Sequence, residues 1–292
     1  MEIVELIRQG KFVLTAELGP PKGTNLDPFF KQASYLKGKV HAANVTDAQS
    51  ALMKMGSLGA CARLKAFGID PILQMTVRDK NRIALQAEVL SADALDIHNL
   101  LILTGDPLKI GDHPEAKAVF DIDAGEFIAV IRKLESGTDM TDHKLEGAPR
   151  MCIGAALNPC LEDIETEISK TRHKIEKGAE FFQTQGIFDL ERFLRFAQRY
   201  RSEGFKAPIL AGIILLKSAK MANFMNEKIP GIFIPKPVIE RLDKSSDAKK
   251  ESVAIASEII EKVRPHVQGV HLMAIGWEEL VPDILRNLRL GI

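Results

Sequence analysis

Asn99-Leu-Leu-Ile-Leu-Thr-Gly-Asp106 runs through four aliphatic residues in succession and ends on a polar turn. A stretch apolar at both odd and even positions suits a parallel strand covered on both faces. The same design recurs at Phe12–Leu18, Ala42–Asp47, Pro71–Val77, Met151–Leu157, Phe181–Phe188, Pro208–Ile214 and Gly269–Gly276. Helical patterns fall between these runs, at Asp27–Lys37, Met53–Phe67, Arg82–Leu95, Ala124–Glu135, Leu161–Lys177 and Leu190–Glu203. Alternation of this kind predicts an α/β fold, either a (βα)8 TIM barrel or a doubly wound sheet. Polar residues decide between them. Glu17, Asp47, Thr76, Asp106, Asn158 and Gln185 stand at the C-terminal ends of six different runs, which a barrel gathers into one mouth. A doubly wound sheet gathers only those near its switch point, and no GxGxxG follows the first run. The reading is one barrel domain over residues 1–292. Extra helices are expected in two long connections, Pro107–Arg150 and Leu215–Gln268, the second holding Ile229-Pro-Gly-Ile-Phe-Ile-Pro-Lys-Pro.

Composition narrows the function. Lys+Arg and Asp+Glu are 39 each, so no global basic field exists for nucleic acid. Cys61, Cys152 and Cys160 form no CxxC, which argues against a disulfide framework and against a cluster or structural zinc built from this chain alone. No nearby His is spaced to activate Cys152 or Cys160 as a nucleophile, and the seven histidines are scattered without a metal-type pair. The opening Met1-Glu-Ile-Val-Glu lacks the pattern of a signal peptide, and the longest near-apolar run, Ala207–Leu216, falls well short of a membrane span. The expected address is the cytoplasm.

Several residues could carry chemistry. Glu17 ends an apolar strand ahead of Gly-Pro-Pro; apolar walls would raise its pKa and suit it to general acid work. Gly105 would let the backbone approach a flat ligand, and Asp106 would project into the mouth, although Gly-Asp-Pro is also ordinary turn chemistry. Gln183 and Gln185 share one strand face, where an amide can read a heterocycle edge or simply satisfy buried backbone. Glu167, Lys170, His173 and Lys174 fall on one helix face, a phosphate-neutralising strip or a solvated surface.

Taken together, these segments resemble the methylenetetrahydrofolate reductase family over nearly the whole chain. Thr15-Ala-Glu17-Leu-Gly-Pro-Pro resembles the family's opening strand with its catalytic glutamate. Asn44-Val-Thr46-Asp47 matches a flavin contact, and Leu103-Thr104-Gly105-Asp106 the motif whose aspartate lies by the flavin ring. Lys174-Ile-Glu-Lys-Gly-Ala-Glu-Phe-Phe-Gln183-Thr-Gln185 matches the segment with a flavin-contacting lysine and the folate-reading glutamine. The resemblance implies bound flavin, FAD in first place with FMN as the alternative, and hydride transfer to 5,10-methylenetetrahydrofolate. It implies Glu17 as general acid and Asp106 as a charge partner of the flavin and of the cationic folate. Thr46, Asp47, Thr76, Thr104, Gly105, Asp106, Ala155, Ala156, Asn158, Glu167, Lys170, His173 and Lys174 would hold the cofactor, while Gln183, Gln185 and Leu215 would hold folate.

The chain departs from well-known bacterial members at Gln74 (His there), Thr104 (Arg), Lys170 (Asn) and His173 (Arg), and its segment after the seventh strand is shorter. The electron donor is thereby left open between NAD(P)H and a separate subunit, such as an iron–sulfur or zinc protein, in a homo- or hetero-oligomer. Competing readings are a pterin-binding barrel methyltransferase, which needs no flavin, and a flavin-binding electron-relay subunit. A barrel aldolase or isomerase ranks last, since no strand-end lysine or glycine-rich phosphate loop is evident.

Overall fold

In a computed structural model, residues 2–229 and 231–291 are described; Pro230 of the Pro-rich stretch lies outside them. Eight strands, β1 (Val13–Leu18), β2 (Ala42–Val45), β3 (Pro71–Thr76), β4 (Asn99–Leu103), β5 (Cys152–Leu157), β6 (Phe181–Gly186), β7 (Ile209–Ile214) and β8 (Gly269–Met273), close into a barrel in sequence order. Every neighbouring pair is parallel, β8 returning to β1 with Thr15 opposite His271. This is the (βα)8 TIM barrel.

The helices are α1 (Ile3–Arg8), α2 (Asp27–Leu36), α3 (Ser57–Phe67), α4 (Arg82–Ala94), α5 (Ala124–Glu135), α6 (Ile164–Lys177), α7 (Leu190–Ser202), α8 (Ala219–Lys228), α9 (Lys236–Lys244), α10 (Ala248–Val263) and α11 (Val281–Asn287). Their starts are written in the sequence. Asn81, Asp163, Asp189, Ser218 and Asp247 accept backbone N–H bonds as N-caps of α4, α6, α7, α8 and α10, and Asp123 with Glu126 closes a capping box on α5. Gly68 and Gly178 take the left-handed conformation that ends α3 and α6.

Two layers of burial follow from strand alternation. Outward residues such as Leu14, Ala16, Leu73 and Leu100 pack under the helices in the main core. Inward residues at the strand starts, Val13, Ala42, Ile72, Cys152, Phe181 and Leu210, form a separate apolar cluster. Ile3, Val4 and Leu6 of α1 complete that cluster and stopper the N-terminal end of the barrel, with Ile3 N–H donating to Asn99 Oδ1 at 3.0 Å. Each fully buried side chain of this size contributes roughly 1.5–3 kcal/mol.

The long connections carry the surplus length. After β4, a 3-10 turn at Leu108–Ile110 precedes the crossover helix α5. It packs on a second 3-10 turn, Gln49–Ala51, from the β2 loop. Contact there is close enough that a Cβ on Gly111 would sit 2.0 Å from the Ala51 carbonyl oxygen. After β7 come α8 and α9 ahead of the crossover helix α10. Asn226 braces the Pro-rich stretch, donating to Ile234 O at 3.0 Å and accepting from Ile234 N at 2.7 Å. Among the described residues, no helix is long and apolar enough to cross a membrane.

Candidate active site

The apolar floor gives way, two residues further along β1, β2, β3 and β6, to inward polar side chains, joined by one from β8. Thr15, Asn44, Gln74, Gln183 and His271 are buried at mid-barrel, and Glu17 stands above Thr15. Over them opens a cavity of about 650 Å³ at the C-terminal mouth. Its wall brings together Glu17, Asp47, Thr76, Thr104, Gly105, Asp106, Ala156, Asn158, Glu167, Lys170, Lys174, Gln183 and Gln185, all expected from the sequence. Its size is that of a small-molecule site.

Glu17 differs from expectation in one respect. Its surroundings are polar where apolar walls were expected: Gln49 Nε2 donates to Oε1 at 3.1 Å and Gln74 Nε2 to Oε2 at 3.3 Å. His271 Nε2 lies 3.7 Å from Oε2. Burial pushes the carboxyl up, but the neighbouring His271 and the two glutamines outweigh it and hold the group below its ordinary range. The expected raised pKa is therefore corrected. In the ligand-free chain Glu17 is a carboxylate, and a proton must reach it before it can act as an acid.

Asp106 ends β4 on the exposed side of the cavity and accepts from Ser50 N–H at 2.6 Å. Ser50 belongs to the β2 loop that also sends Gln49 to Glu17, so one loop touches both carboxylates. Ala48, Ser50 and Ala51 all have positive φ, at 45°, 56° and 54°, strain that a well-anchored segment can sustain. Arg78, 1% exposed, is one anchor, donating to Ala48 O at 3.4 Å and to Asp106 O at 2.8 Å. Gly105 is also required by the backbone itself. At φ +96°, a Cβ there would come within 2.9 Å of Arg78 Cβ. Asp47 and Thr76 bind each other: Asp47 accepts from Thr76 N at 3.0 Å and Thr76 Oγ1 at 3.2 Å, and pairs with Lys80 at 3.1 Å. They fasten β2 to β3 beneath the cavity.

On the opposite wall, Glu167 accepts from Asn158 N–H at 2.8 Å, and Lys174 Nζ donates to Ala156 O at 2.6 Å. Burial pushes Glu167 up and Lys174 down, each opposed by the other's charge. Lys170 stays exposed at the rim. Among the described residues Asn158 Oδ1 is buried with no partner, and Gly231 from the β7–β8 connection lies against that amide. A cationic rim beside an unpaired amide oxygen could hold an anionic, hydrogen-bonding cofactor.

The two glutamines separate in role. Gln183 exchanges hydrogen bonds with Asn44 at 2.7 and 3.1 Å and is saturated inside the barrel. Gln185 Oε1 accepts only from Gly186 N–H at 3.2 Å, which leaves its Nε2 without a protein partner among the described residues.

Four expected residues are not brought to the cavity wall. Ala155 has the outward parity of its strand and packs in the main core, and Leu215, beyond β7, is buried in the same core. His173 turns toward α5, where a Cβ on Gly125 would meet its Nε2 at 2.8 Å, so only Glu167, Lys170 and Lys174 of that helix face the site. Thr46 is fully buried beside Gly19, its hydroxyl without a partner among the described residues. Conversely, Gln49, Gln74, Thr184, Met273 and His271 line the cavity without having been singled out as site residues. His271 is the telling one. A histidine two residues before the inward Met273, in an otherwise apolar strand, is a signal that the scatter of the seven histidines concealed. All three cysteines are buried, and burial raises the Cys152 and Cys160 thiols to about 12.

A parallel barrel whose C-terminal mouth collects carboxylates, amides and lysines from several strands is built as enzyme barrels are. The chain belongs to the methylenetetrahydrofolate reductase family, whose model matches residues 2–289. It is 25% identical over 233 residues to methylenetetrahydrofolate reductase 1 of Schizosaccharomyces pombe, covering 77% of this chain and 36% of that protein. Thus it spans only about a third of that relative's length (36%). To the 5,10-methylenetetrahydrofolate reductase of Pectobacterium carotovorum it is 22% identical over 227 residues, 76% of this chain and 70% of that one. A solved protein of Clostridium thermocellum, which binds two copies of 5-methyl-5,6,7,8-tetrahydrofolic acid, shares the fold at a TM-score of 0.64 and 15% identity, covering 98% and 100% of the two chains.

Proposed function

We propose that this chain reduces 5,10-methylenetetrahydrofolate to 5-methyltetrahydrofolate with a bound flavin, FAD in first place and FMN as the alternative. The observation that carries the reading is Glu17, a carboxyl at the base of the cavity beside three polar side chains and facing the same space as Asp106 and Gln185. The fold supports a folate ligand in the mouth, since a barrel of the same shape binds 5-methyl-5,6,7,8-tetrahydrofolic acid.

The residues present fit a flavin. Lys170 and Lys174 supply the charge its phosphates need, and the unpaired Asn158 Oδ1 supplies a buried acceptor. When bound, the flavin supplies the hydride; the protein supplies position and charge. Gln185 offers its Nε2 to the pterin edge. Glu17, once protonated, gives its proton to the departing bridge nitrogen, which opens the bridge and leaves an electrophilic carbon on the folate. Asp106 offsets the positive charge that develops there. The deep position of Glu17, with 13% of its side chain exposed, keeps bulk water from competing for that transfer.

Electrons come from NAD(P)H or from a separate donor subunit, and the rim of the mouth is the place for either to approach. The test is direct. Purified chain should be yellow, and after anaerobic reduction it should convert 5,10-methylenetetrahydrofolate to one equivalent of 5-methyltetrahydrofolate per flavin. Colourless protein that instead passes a methyl group from methyltetrahydrofolate to a corrinoid or thiol would replace the reading with a methyltransferase. Flavin that reduces but never reoxidises with the folate would mark an electron-relay subunit.

A further inference from the structure

Arg78 stands two residues past the end of β3, 1% exposed and not among the residues that line the cavity. A guanidinium so deeply buried is tolerable only when its N–H groups and its charge are both answered. Nε and Nη2 grip the Asp79 carboxylate at 2.8 and 2.5 Å, a two-pronged pair. Nη1 donates to the Asp106 carbonyl oxygen at 2.8 Å, and Nη2 makes a longer bond to the Ala48 carbonyl oxygen at 3.4 Å. Those two carbonyls belong to different loops, one after β4 and one after β2. The two residues after Ala48 are the ones that meet the carboxylates: Gln49 Nε2 donates to Glu17 Oε1, and Ser50 N–H to Asp106 Oδ2. Both are exposed, so burial does not hold them. The positive φ of Ala48, Ser50 and Ala51 persists only where the segment is fixed at its ends. Its exit is fixed by Asp112 Oδ1, which accepts from Met53 N–H at 2.9 Å, and by Gly111 packed on Ala51. Its entry is fixed by Arg78.

We propose that Arg78 is a positioning residue: by holding the Ala48 and Asp106 carbonyls on one guanidinium, it sets the β2 loop against the β4 turn and thereby orients Glu17 and Asp106 in the cavity. This rests on the reading of those two carboxylates as the acid and the charge partner of the folate reaction. Arg78 meets neither substrate nor cofactor; it acts through backbone. The fork is what the task requires. A lysine ammonium carries the same charge but no rigid plane of donors, and it cannot hold the Asp79 carboxylate and two carbonyls from separate loops at once. The stem of Arg78 has a second duty, since its Cβ packs where a side chain at Gly105 would otherwise go. The opposite wall hangs on other bonds, Lys174 to Ala156 O and Asn158 N–H to Glu167, and Gln185 stands on β6. Contacts made to ligands there should therefore survive a change at Arg78.

Two measurements test it. Arg78→Lys keeps the charge beside Asp79 and the Cβ against Gly105, so it removes the fork and little else. In the ligand-free full chain, amide hydrogen exchange at Ser50 should quicken about tenfold in this variant, with the amides of α4 and β6 unchanged. Wild-type exchange at Ser50 overturns the proposal, whatever the folate chemistry proves to be. In the folate half-reaction, counted per bound flavin, the rate at saturating folate should fall about tenfold to a hundredfold, as small misplacements of reacting groups do, while KM for folate stays within about twofold. An unchanged rate per flavin, or a loss confined to flavin content and unfolding free energy, would mark packing alone and overturn it. In the Glu17→Gln background the same substitution should cost less than in wild type, because one of the groups it orients is gone; full additivity would overturn it as well. Asp79→Asn, which loosens the fork but leaves the guanidinium in place, should move exchange and rate in the same directions by smaller factors, and no movement in either variant overturns the proposal. If Glu17→Gln reoxidised normally with folate while Ser50 exchange still rose in Arg78→Lys, the acid reading would fail and the hold of Arg78 on the loop would stand.

Discussion

The two ends of the barrel interior are built from the same strands and share almost nothing chemically. At the N-terminal end Val13, Ala42, Ile72, Cys152, Phe181 and Leu210 close on α1, and the polar Asn99 there is bound by Ile3 N–H. Two to four residues further along four of these strands stand Glu17, Asn44, Gln74, Thr76, Gln183 and Gln185, with His271 from β8 beside them. The lower end has surrendered chemistry for packing. A Cβ on Gly154 would lie 2.3 Å from the Phe181 ring, so the space is already filled. The upper end has surrendered packing for chemistry, keeping a cavity of about 650 Å³ and a loop with three left-handed non-glycine residues. A rigid floor is what lets buried carboxylate and amide groups hold their geometry above it.

That division can be broken from either side. Phe181→Ala removes the largest inward side chain of the floor and should cost about 3–5 kcal/mol in denaturant unfolding. Flavin content of the protein that remains folded should be unchanged; a proportionate loss of flavin would mean that the two ends are not separable. A smaller effect is expected at the rim. Lys174→Ala should weaken flavin binding about tenfold or more, roughly 1.4 kcal/mol per decade, in equilibrium titration of apoprotein, with little change in unfolding free energy. Retention of flavin equal to wild type through gel filtration would remove Lys174 from the cofactor site.

The smallest effect concerns pH, and its two signs are opposite. Glu17 is held below its ordinary range, so its contribution to stability is present above that range and is lost as pH falls through the depressed value. Burial holds Glu167 above its ordinary range, so its contribution is present at low pH and is lost as pH rises through the raised value. Glu167→Gln should therefore lose less stability than wild type as pH rises from the ordinary glutamate range toward neutrality. Identical slopes in the two proteins would show that Glu167 is not penalised by burial.

Much of this division is legible in the sequence, because a parallel strand writes its two faces and its polar end in consecutive residues. Glu17, Asp106, Asn158 and Gln185 could be placed at the mouth from their positions at strand ends alone. What could not be read was which neighbours close around them. Gln49 reaches Glu17 from a loop, His271 from a strand more than 250 residues away. Those two, with Gln74, reverse the expected sign of the Glu17 shift, and no local pattern contains that information. Parity explains Ala155: read one position off, it belongs to the helix-facing side. His173 has the right helical spacing from Lys170 but sits at the edge of the stripe, where the neighbouring α5 takes it.

In the proposed reaction the polar end of the barrel delivers a proton from Glu17 to a folate while the bound flavin supplies hydride. Rapid mixing of anaerobically reduced Glu17→Gln with 5,10-methylenetetrahydrofolate tests it most directly. The variant should bind flavin and accept electrons as wild type does, yet reoxidise with folate about a hundredfold or more slowly. Reoxidation at the wild-type rate would contradict it.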